Sequence, residues 1–348
     1  MAADRIALER AHALDPRYYR GADTLDVELR EILGRHWQII AGSEQVAETG
    51  DVAVREIADV PVIIIRGEDG ALSGFTNICR HRAGPVATCD LKGASRLRCA
   101  YHGWTYDLDG KLLSAPEMRE AEGFDKDAIR LAPIDIQEWS GLVYARFAEG
   151  PGFDAMHDGI ADYIGDDPFA GMIHRHAIRY EVVCNWKIYV DNFLEGYHLP
   201  YVHPGLNAIV DYSEYTTELG EFWSVQRAPM GENSGAYAAG EAFYFFIYPC
   251  TMLNVMPGRL QTNRVVPQGE DRCLVEFDFY YAPGAERRLA EDIAFSDSVQ
   301  EEDRTICEHV QKALVSGCYE AGRLSPKREA GVWHWQQLLA AAYDEAGR

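Results

Sequence analysis

Cys79-Arg80-His81 and, beyond residues 82–98, Cys99-Ala100-Tyr101-His102 decide how this chain is read. Each half offers one thiolate and one imidazole. Structural zinc sites usually draw like ligands from each knuckle, Cys with Cys and His with His. One Cys and one His from each of two loops suit instead a two-iron cluster, with sulfur ligands on one iron and nitrogen ligands on the other. Gly84-Pro85 and Lys92-Gly93 break the chain between the halves, and Asp109-Gly110 follows as a hairpin signal.

Around this stretch the pattern is that of short strands: Val52–Ile57, Val60–Arg66, Ala71–Asn77, Arg96–Ala100, Trp104–Leu108 and Leu142–Phe147. Residues 37–148 read as a small antiparallel β domain. Gly150 to Phe169 forms a junction, and residues 1–36 with 149–348 make a second domain. There the sequence predicts a short helix over Leu25–His36, a strand near Ala177–Val183 and a helix from Asn185. Strands between Glu241 and Tyr281 follow, then a long helix over Arg287–Ser316 and a last one over Gly331–Tyr343. Strands followed by helices, without alternation, point to an α+β fold.

The 348 residues leave room for about two domains. Apolar residues make up 47% and charged residues 25%, as in globular proteins, and no apolar run reaches the roughly 20 residues of a membrane span. The N-terminus, charged within six residues, lacks a signal-peptide core, so a cytoplasmic location is expected. A net charge of −22 argues against nucleic acid and anionic membranes as partners. Arg80, Arg82, Arg96 and Arg98 depart from that balance; they either compensate the cluster or form a docking rim for an acidic electron donor. Cys89, Cys184, Cys250, Cys273, Cys307 and Cys318 show no disulfide framework and are expected as free buried thiols.

A second metal site is legible in Asn185-Trp186-Lys187-Ile188-Tyr189-Val190-Asp191-Asn192-Phe193-Leu194-Glu195-Gly196-Tyr197-His198-Leu199-Pro200-Tyr201-Val202-His203-Pro204. If residues 185–198 are helical, Asp191, Glu195 and His198 share one face, and Pro200 ends the helix so that a turn returns His203 to His198. Two histidines and one carboxylate on one face of a metal make a non-haem iron(II) oxygenase site. The long helix offers the carboxylate: Asp303 lies within an apolar stripe of Val299, Ile306, Val310 and Leu314, where an aspartate is costly unless paired or ligating. Asp191 would support the ligands or be an ordinary buried acid.

The chain resembles the Rieske non-haem iron oxygenases, the ring-hydroxylating alpha-subunit family. Asn185 to Pro204, and Gln300-Glu301-Glu302-Asp303 through Val310-Gln311, look most like the choline, carnitine and glycine-betaine monooxygenase branch. The resemblance implies that Cys79, His81, Cys99 and His102 hold a [2Fe–2S] cluster and that His198, His203 and Asp303 hold a mononuclear Fe(II). The implied catalytic domain has a curved antiparallel sheet gripped by helices. Glu195, where many members carry aspartate, would link the two centres across a subunit interface, from His198 to a neighbour's His102, in a homotrimer. Electrons from NAD(P)H would arrive through a flavin/iron–sulfur reductase or a ferredoxin, with O2 as co-substrate.

The implied reaction is hydroxylation or N-demethylation of a small quaternary ammonium compound. Hydroxylation or O-demethylation of an aromatic acid is the alternative within the family, and a Rieske electron carrier without oxygenase activity the alternative outside it. Phe222, Trp223, Tyr237, Phe243, Tyr244, Phe245, Phe246 and Tyr248 are compatible with a cation–π cage, although Phe243 to Tyr248 fits an ordinary buried strand better. Phe193, Trp223, Tyr244 and Phe246 are the substrate-contact candidates. Arg259, on an expected strand Arg259–Val266, would clamp a substrate carboxylate or lie at the surface.

Overall fold

The computed structural model describes residues 7–229 and 241–347. Two compact units are present: Gly34–Gly150, and the segment up to Leu33 together with Pro151 onward.

In the first unit a six-stranded antiparallel sheet runs in the order Gln38–Gly42, Leu142–Arg146, Pro133–Trp139, Leu72–Thr76, Val60–Arg66 and Val52–Ile57. Val62, Ile63, Ile64 and Ile65 are fully buried, so both faces of that strand are covered. A three-stranded sheet, Leu97–Arg98, Thr105–Tyr106 and Leu112–Ser114, shares a core with it: Ile63, Ile65 and Phe75 pack with Leu97, Trp104, Tyr106 and Leu112. Cys79 and Cys99 belong to this same core. The strands expected over Arg96–Ala100 and Trp104–Leu108 shrink to two residues each, because the chain leaves the ladder at Cys99 to form a loop. Gln38–Gly42, Leu112–Ser114 and Pro133–Trp139 are strands the sequence pattern did not single out; Pro133 sits at the first position, where a strand tolerates it.

The second unit holds a seven-stranded antiparallel sheet in the order Ile173–Val182, Cys273–Tyr281, Arg259–Pro267, Thr251–Met256, Glu241–Ile247, Trp223–Pro229 and Thr216–Leu219. The last two strands also went unread in the sequence. Three helices accompany the sheet: Trp186–Phe193, the long helix Leu289–Val315 and the C-terminal helix Ala330–Glu345. The junction contains two short helices, Phe153–His157 and Ala161–Ile164. No helix among the described residues is long and apolar enough to cross a membrane. Cys184, Cys250, Cys273 and Cys307 are buried, but Cys89 and Cys318 are exposed, contrary to the expectation of six buried thiols.

The single helix expected over Leu25–His36 is instead a short α-helix, Ala22–Val27, continued by a π-helical stretch, Glu28–Leu33. Wide turns of this kind re-aim side chains. Here Glu28 is wholly buried and its carboxylate accepts hydrogen bonds from Trp186 Nε1, Lys187 Nζ and Tyr343 OH, each at 2.5 Å. Lys187 is equally buried; burial lowers its pKa, and the Glu28 charge opposes that shift. The cluster ties the N-terminal segment, the Trp186–Phe193 helix and the C-terminal helix together. Lys187→Met strands the Glu28 charge and is expected to cost about 3–5 kcal/mol in urea unfolding. The double variant with Glu28→Gln should recover most of that loss; a double variant no more stable than the single one would contradict the assignment.

Candidate functional site

Asn185 opens the helix Trp186–Phe193, its side chain accepting from Lys187 N at 3.0 Å. The helix stops at Phe193, five residues before the end expected from the sequence. Gly196 lies so close to Tyr215 that an added Cβ would stand 2.6 Å from the ring, which fixes where the chain turns. Glu195 therefore does not share a helical face with Asp191 and His198. Its Oε2 accepts from the backbone N–H groups of Tyr197 and His198, and its Oε1 lies 2.6 Å from His198 Nδ1. Pro200 starts a short turn, Leu199–Val202, rather than ending a helix, as its fixed φ and missing N–H favour. That turn returns His203 beside His198.

The outcome is convergence. His198 Nε2 and His203 Nε2 are 3.1 Å apart, and Asp303 Oδ1 lies 3.0 Å from the latter and 3.7 Å from the former. Behind each histidine stands a carboxylate: Glu195 on His198 Nδ1 and Glu302 on His203 Nδ1, the second at 2.7 Å. With Nδ1 donating to these acids, both Nε2 lone pairs point to one place, the arrangement a metal-bound histidine requires. Burial lowers the His203 pKa, but hydrogen bonds and charge from Asp303 and Glu302 outweigh it and leave the pKa raised. These three side chains fit a 2-His-1-carboxylate metal site.

Asp303 faces inward as expected, and of the apolar stripe around it Leu314 is buried while Val299 and Ile306 are half-buried. The buried positions of the long helix are Asp292, Gln300, Cys307, Gln311 and Leu314, whereas Val310 is 40% exposed. The inward face is polar because it is bonded to the shorter helix: Asn185 N donates to Gln311 Oε1 at 2.9 Å, Tyr189 OH to Gln300 Oε1 at 2.5 Å, and Asn192 Nδ2 to Asp303 Oδ1 at 2.6 Å.

The Cys/His half-motifs form two loops closed the same way, Cys79 N to Gly84 O at 2.9 Å and Cys99 N to Trp104 O at 2.8 Å. Cys79 and Cys99 are buried, and Tyr106 OH lies 3.2 Å from Cys79 Sγ. The His81 and His102 rings face each other edge-on at 4.5 Å, with His81 stacked on Trp104. His81 Nδ1 is buried with no hydrogen-bond partner among the described residues, a nitrogen left for a ligand bond. A Cβ at Gly84 would stand 3.0 Å from Cys99 Sγ, so this loop is tightly packed against the thiol. The residues fit a cluster with two sulfur and two nitrogen ligands. Arg80, Arg82, Arg96 and Arg98 are all exposed around it.

Beside the histidine site lies a cavity of about 140 Å³. Phe193, Tyr215, Tyr244 and Phe277 supply aromatic wall, and Asn254, Gln261, Asn263 and Gln300 supply amides. Arg259 also lines it and is 7% exposed, so a surface position is excluded. Its Nη1 lies 2.6 Å from Asp292 Oδ1, however, so this arginine already holds a carboxylate.

The model of the Rieske [2Fe–2S] domain matches residues 36–132, and that of the ring-hydroxylating alpha-subunit catalytic domain matches residues 169–242 and 224–345. Choline monooxygenase from Beta vulgaris is 33% identical over 90% of this chain and 73% of its own length. The carnitine monooxygenase oxygenase subunit of Escherichia coli is 28% identical over 97% of this chain and 95% of its own. Among solved structures, a quaternary ammonium Rieske monooxygenase superposes with a TM-score of 0.89 at 25% identity, over 97% of this chain and 96% of the other. The chain belongs to the Rieske ring-hydroxylating oxygenases.

As an oxygenase of this family it carries a Rieske cluster and a mononuclear iron, and the electron-carrier reading falls, since a catalytic domain occupies the second unit. Among the substrate-contact candidates, Phe193 and Tyr244 line the cavity. Trp223 and Phe246 do not. Trp223 is on the opposite face of the sheet, packed with Phe245 and Tyr163 and donating to Asp158 O; Phe246 shares the face of Tyr244 but sits two residues along the strand, near Trp335. Tyr237 lies outside the described residues. Asn192 and Glu302 are site residues that the ligand pattern in the sequence does not single out.

Asp191 also departs from expectation. It accepts from Tyr19 OH at 2.5 Å and Gln336 Nε2 at 2.7 Å, partners from the N-terminal segment and the C-terminal helix, so it braces the helix. Burial pushes its pKa up to about 7, against the hydrogen bonds from Tyr19 and Gln336 and the charge of Lys187. A raised carboxyl pKa contributes stability in full below the ordinary carboxylate range and loses it as pH rises through about 7. Relative to Asp191→Asn, the wild type should therefore lose roughly 1–3 kcal/mol of unfolding free energy between about pH 4.5 and 8. Parallel stability curves for the two proteins would contradict this.

Proposed function

We propose that the chain is the terminal oxygenase of a monooxygenase acting on a small quaternary ammonium compound. The observation that carries this is the convergence of His198 Nε2, His203 Nε2 and Asp303 Oδ1, each histidine backed by a carboxylate, beside a cavity walled in part by aromatic rings. His198, His203 and Asp303 would hold the mononuclear iron, and Cys79, Cys99, His81 and His102 the cluster. When bound, the cluster supplies single electrons and the iron supplies oxygen-activating chemistry.

Around these groups the chain's own residues have separable tasks. Glu195 and Glu302 fix the orientation and protonation of the two imidazoles. Asn192 restrains the Asp303 carboxylate. Phe193 and Tyr244 offer ring faces to N-methyl groups, an attraction worth about 0.5–2 kcal/mol per ring. Relatives named for choline and carnitine oxidation, and a relative solved in complex with L-carnitine, support the ammonium reading. The engagement of Arg259 by Asp292 takes away the clamp expected for a substrate carboxylate, whether of an aromatic acid or of a betaine-type compound.

The electron donor in this proposal is a separate flavin/iron–sulfur reductase or a ferredoxin, and the assembly is a homotrimer. The report on a related quaternary ammonium Rieske monooxygenase names inter-subunit electron transfer, which supports a role for Glu195 between His198 and a neighbour's His102.

Reduced, metal-loaded protein given limiting O2 is expected to form a carbonyl product from ammonium compounds: formaldehyde after N-methyl oxidation, or an ammonium aldehyde after oxidation of a hydroxyl-bearing carbon. A methoxybenzoate should give none; formaldehyde from that ether alone would overturn the proposal. Glu195→Gln is expected to keep both metal centres yet slow cluster reoxidation by at least about tenfold in stopped flow, since it removes the charge-assisted link. Reoxidation at the wild-type rate would remove Glu195 from the path.

A further inference from the structure

Cys184, Cys273 and Cys307 lie far apart in the sequence and converge in the fold, all buried and none in a disulfide. Val182 pairs with Cys273 at the end of the ladder between Ile173–Val182 and Cys273–Tyr281. Cys184 follows two residues on, just before the N-cap of the short helix. On its other side, Val183 N donates to Glu308 Oε1 at 3.3 Å and Asn185 N to Gln311 Oε1 at 2.9 Å, which sets Cys184 against Cys307 on the long helix. The Cys273 and Cys307 thiols both donate to Cys184 Sγ, which also accepts the backbone N–H of Tyr189. Those bonds hold the Cys184 pKa below the ordinary thiol range against burial, whereas bonding to Cys184 and then burial raise the other two.

A sulfur of thiolate character beside a second thiol is a nucleophile with a resolving partner. Solvent comes near it through a surface groove walled by Tyr19, Arg20, Glu270, Asp271, Gln311 and Val315. Glu270 O and Gln311 Oε1 both accept from Asn185, the residue after Cys184. The oxidant is hydrogen peroxide, the two-electron reduction product of the O2 that an oxygenase consumes. The Cys184 thiolate attacks one peroxide oxygen and breaks the O–O bond, giving a sulfenic acid and a hydroxide that takes up the thiol's released proton. The Cys307 sulfur then displaces the sulfenic hydroxyl, which leaves as water with the Cys307 proton. Two thiols thus lose two electrons to one peroxide, which ends as two waters. Cys273 is the poorer partner. Diagonal neighbours across an antiparallel ladder stand about 7–8 Å apart, beyond the roughly 4.4–6.8 Å between α-carbons that a disulfide spans.

We propose that Cys184 and Cys307 form a peroxide-responsive thiol pair whose disulfide displaces the helices that set the iron ligands. Closing the bridge brings the sulfurs to about 2.05 Å, and Cys307 stands one helical turn from Asp303. The coupling to iron rests on the iron-site reading above; the linkage does not. Metal-loaded protein is treated with hydrogen peroxide, alkylated in denaturant and digested without reductant for peptide mass mapping. The expected product is a Cys184–Cys307 linkage that dithiothreitol removes. Cys250, equally buried and with its pKa pushed up to about 12 by burial, should still be alkylated. After catalase treatment and re-addition of Fe(II), the bridged protein should hold iron at the histidine site at least about tenfold more weakly than the reduced protein. Cys307→Ser should take its iron back in full. No linkage, a Cys184–Cys273 linkage, or oxidation of Cys250 at the same peroxide dose would overturn the pair. Unchanged iron affinity in the bridged protein, or equal loss in Cys307→Ser, would overturn the coupling. Reduced protein that holds no iron beyond the cluster would count against the iron site itself, which keeps the two failures apart.

Discussion

Directional hydrogen bonds between two helices set the geometry on which the catalytic unit depends. Asn185 to Gln311, Tyr189 to Gln300 and Asn192 to Asp303 lock the short helix against the long one in a single axial register. Apolar packing is non-directional and would tolerate sliding; a buried amide that misses its partner is penalised by about 1–3 kcal/mol. Asp303 reaches His203 because that register is fixed. The same short helix is held from another side by Glu28 on Trp186 and Lys187 and by Tyr19 and Gln336 on Asp191. A helix of eight residues has little stability of its own, and these contacts supply the rigidity.

Charge around the histidine site then follows. Glu195, Glu302 and Asp303 bring three carboxylates to two imidazoles. With a divalent cation and neutral imidazoles the set would carry a net negative charge, complementary to a quaternary ammonium ion. Arg259 Nη1 is held by Asp292, which Arg288 Nε also approaches at 3.8 Å.

Much of this was legible in the residues. The Cys/His half-motifs carried the cluster site because four soft ligands in that order have few other uses, and Val52–Ile57 and Val60–Arg66 were read to their ends from β-branched alternation. His198, His203 and Asp303 were found as types of ligand in plausible places. What failed was whatever tertiary contact decides. The helix break after Phe193 comes from Gly196 meeting the Tyr215 ring and from Glu195 capping the next turn, neither visible in local propensity. The long helix was read correctly at Asp303 but not at Val310, which is exposed, nor at Gln300 and Gln311, whose burial depends on bonds to the shorter helix. Trp223 and Phe246 were placed at the substrate by composition, and strand parity and position sent them elsewhere. Asp191 looked like a site acid until its partners, Tyr19 and Gln336, were seen to come from distant parts of the sequence.

The central claim is that His198, His203 and Asp303 form a mononuclear iron site separate from the cluster. Iron quantification on anaerobically reconstituted protein, beside the cluster's visible absorption, tests it most directly. The account predicts about three irons per chain in the wild type, and about two, with the cluster spectrum unchanged, in Asp303→Ala. Equal iron content in the two proteins, or a wild type whose iron is confined to the cluster, would contradict it.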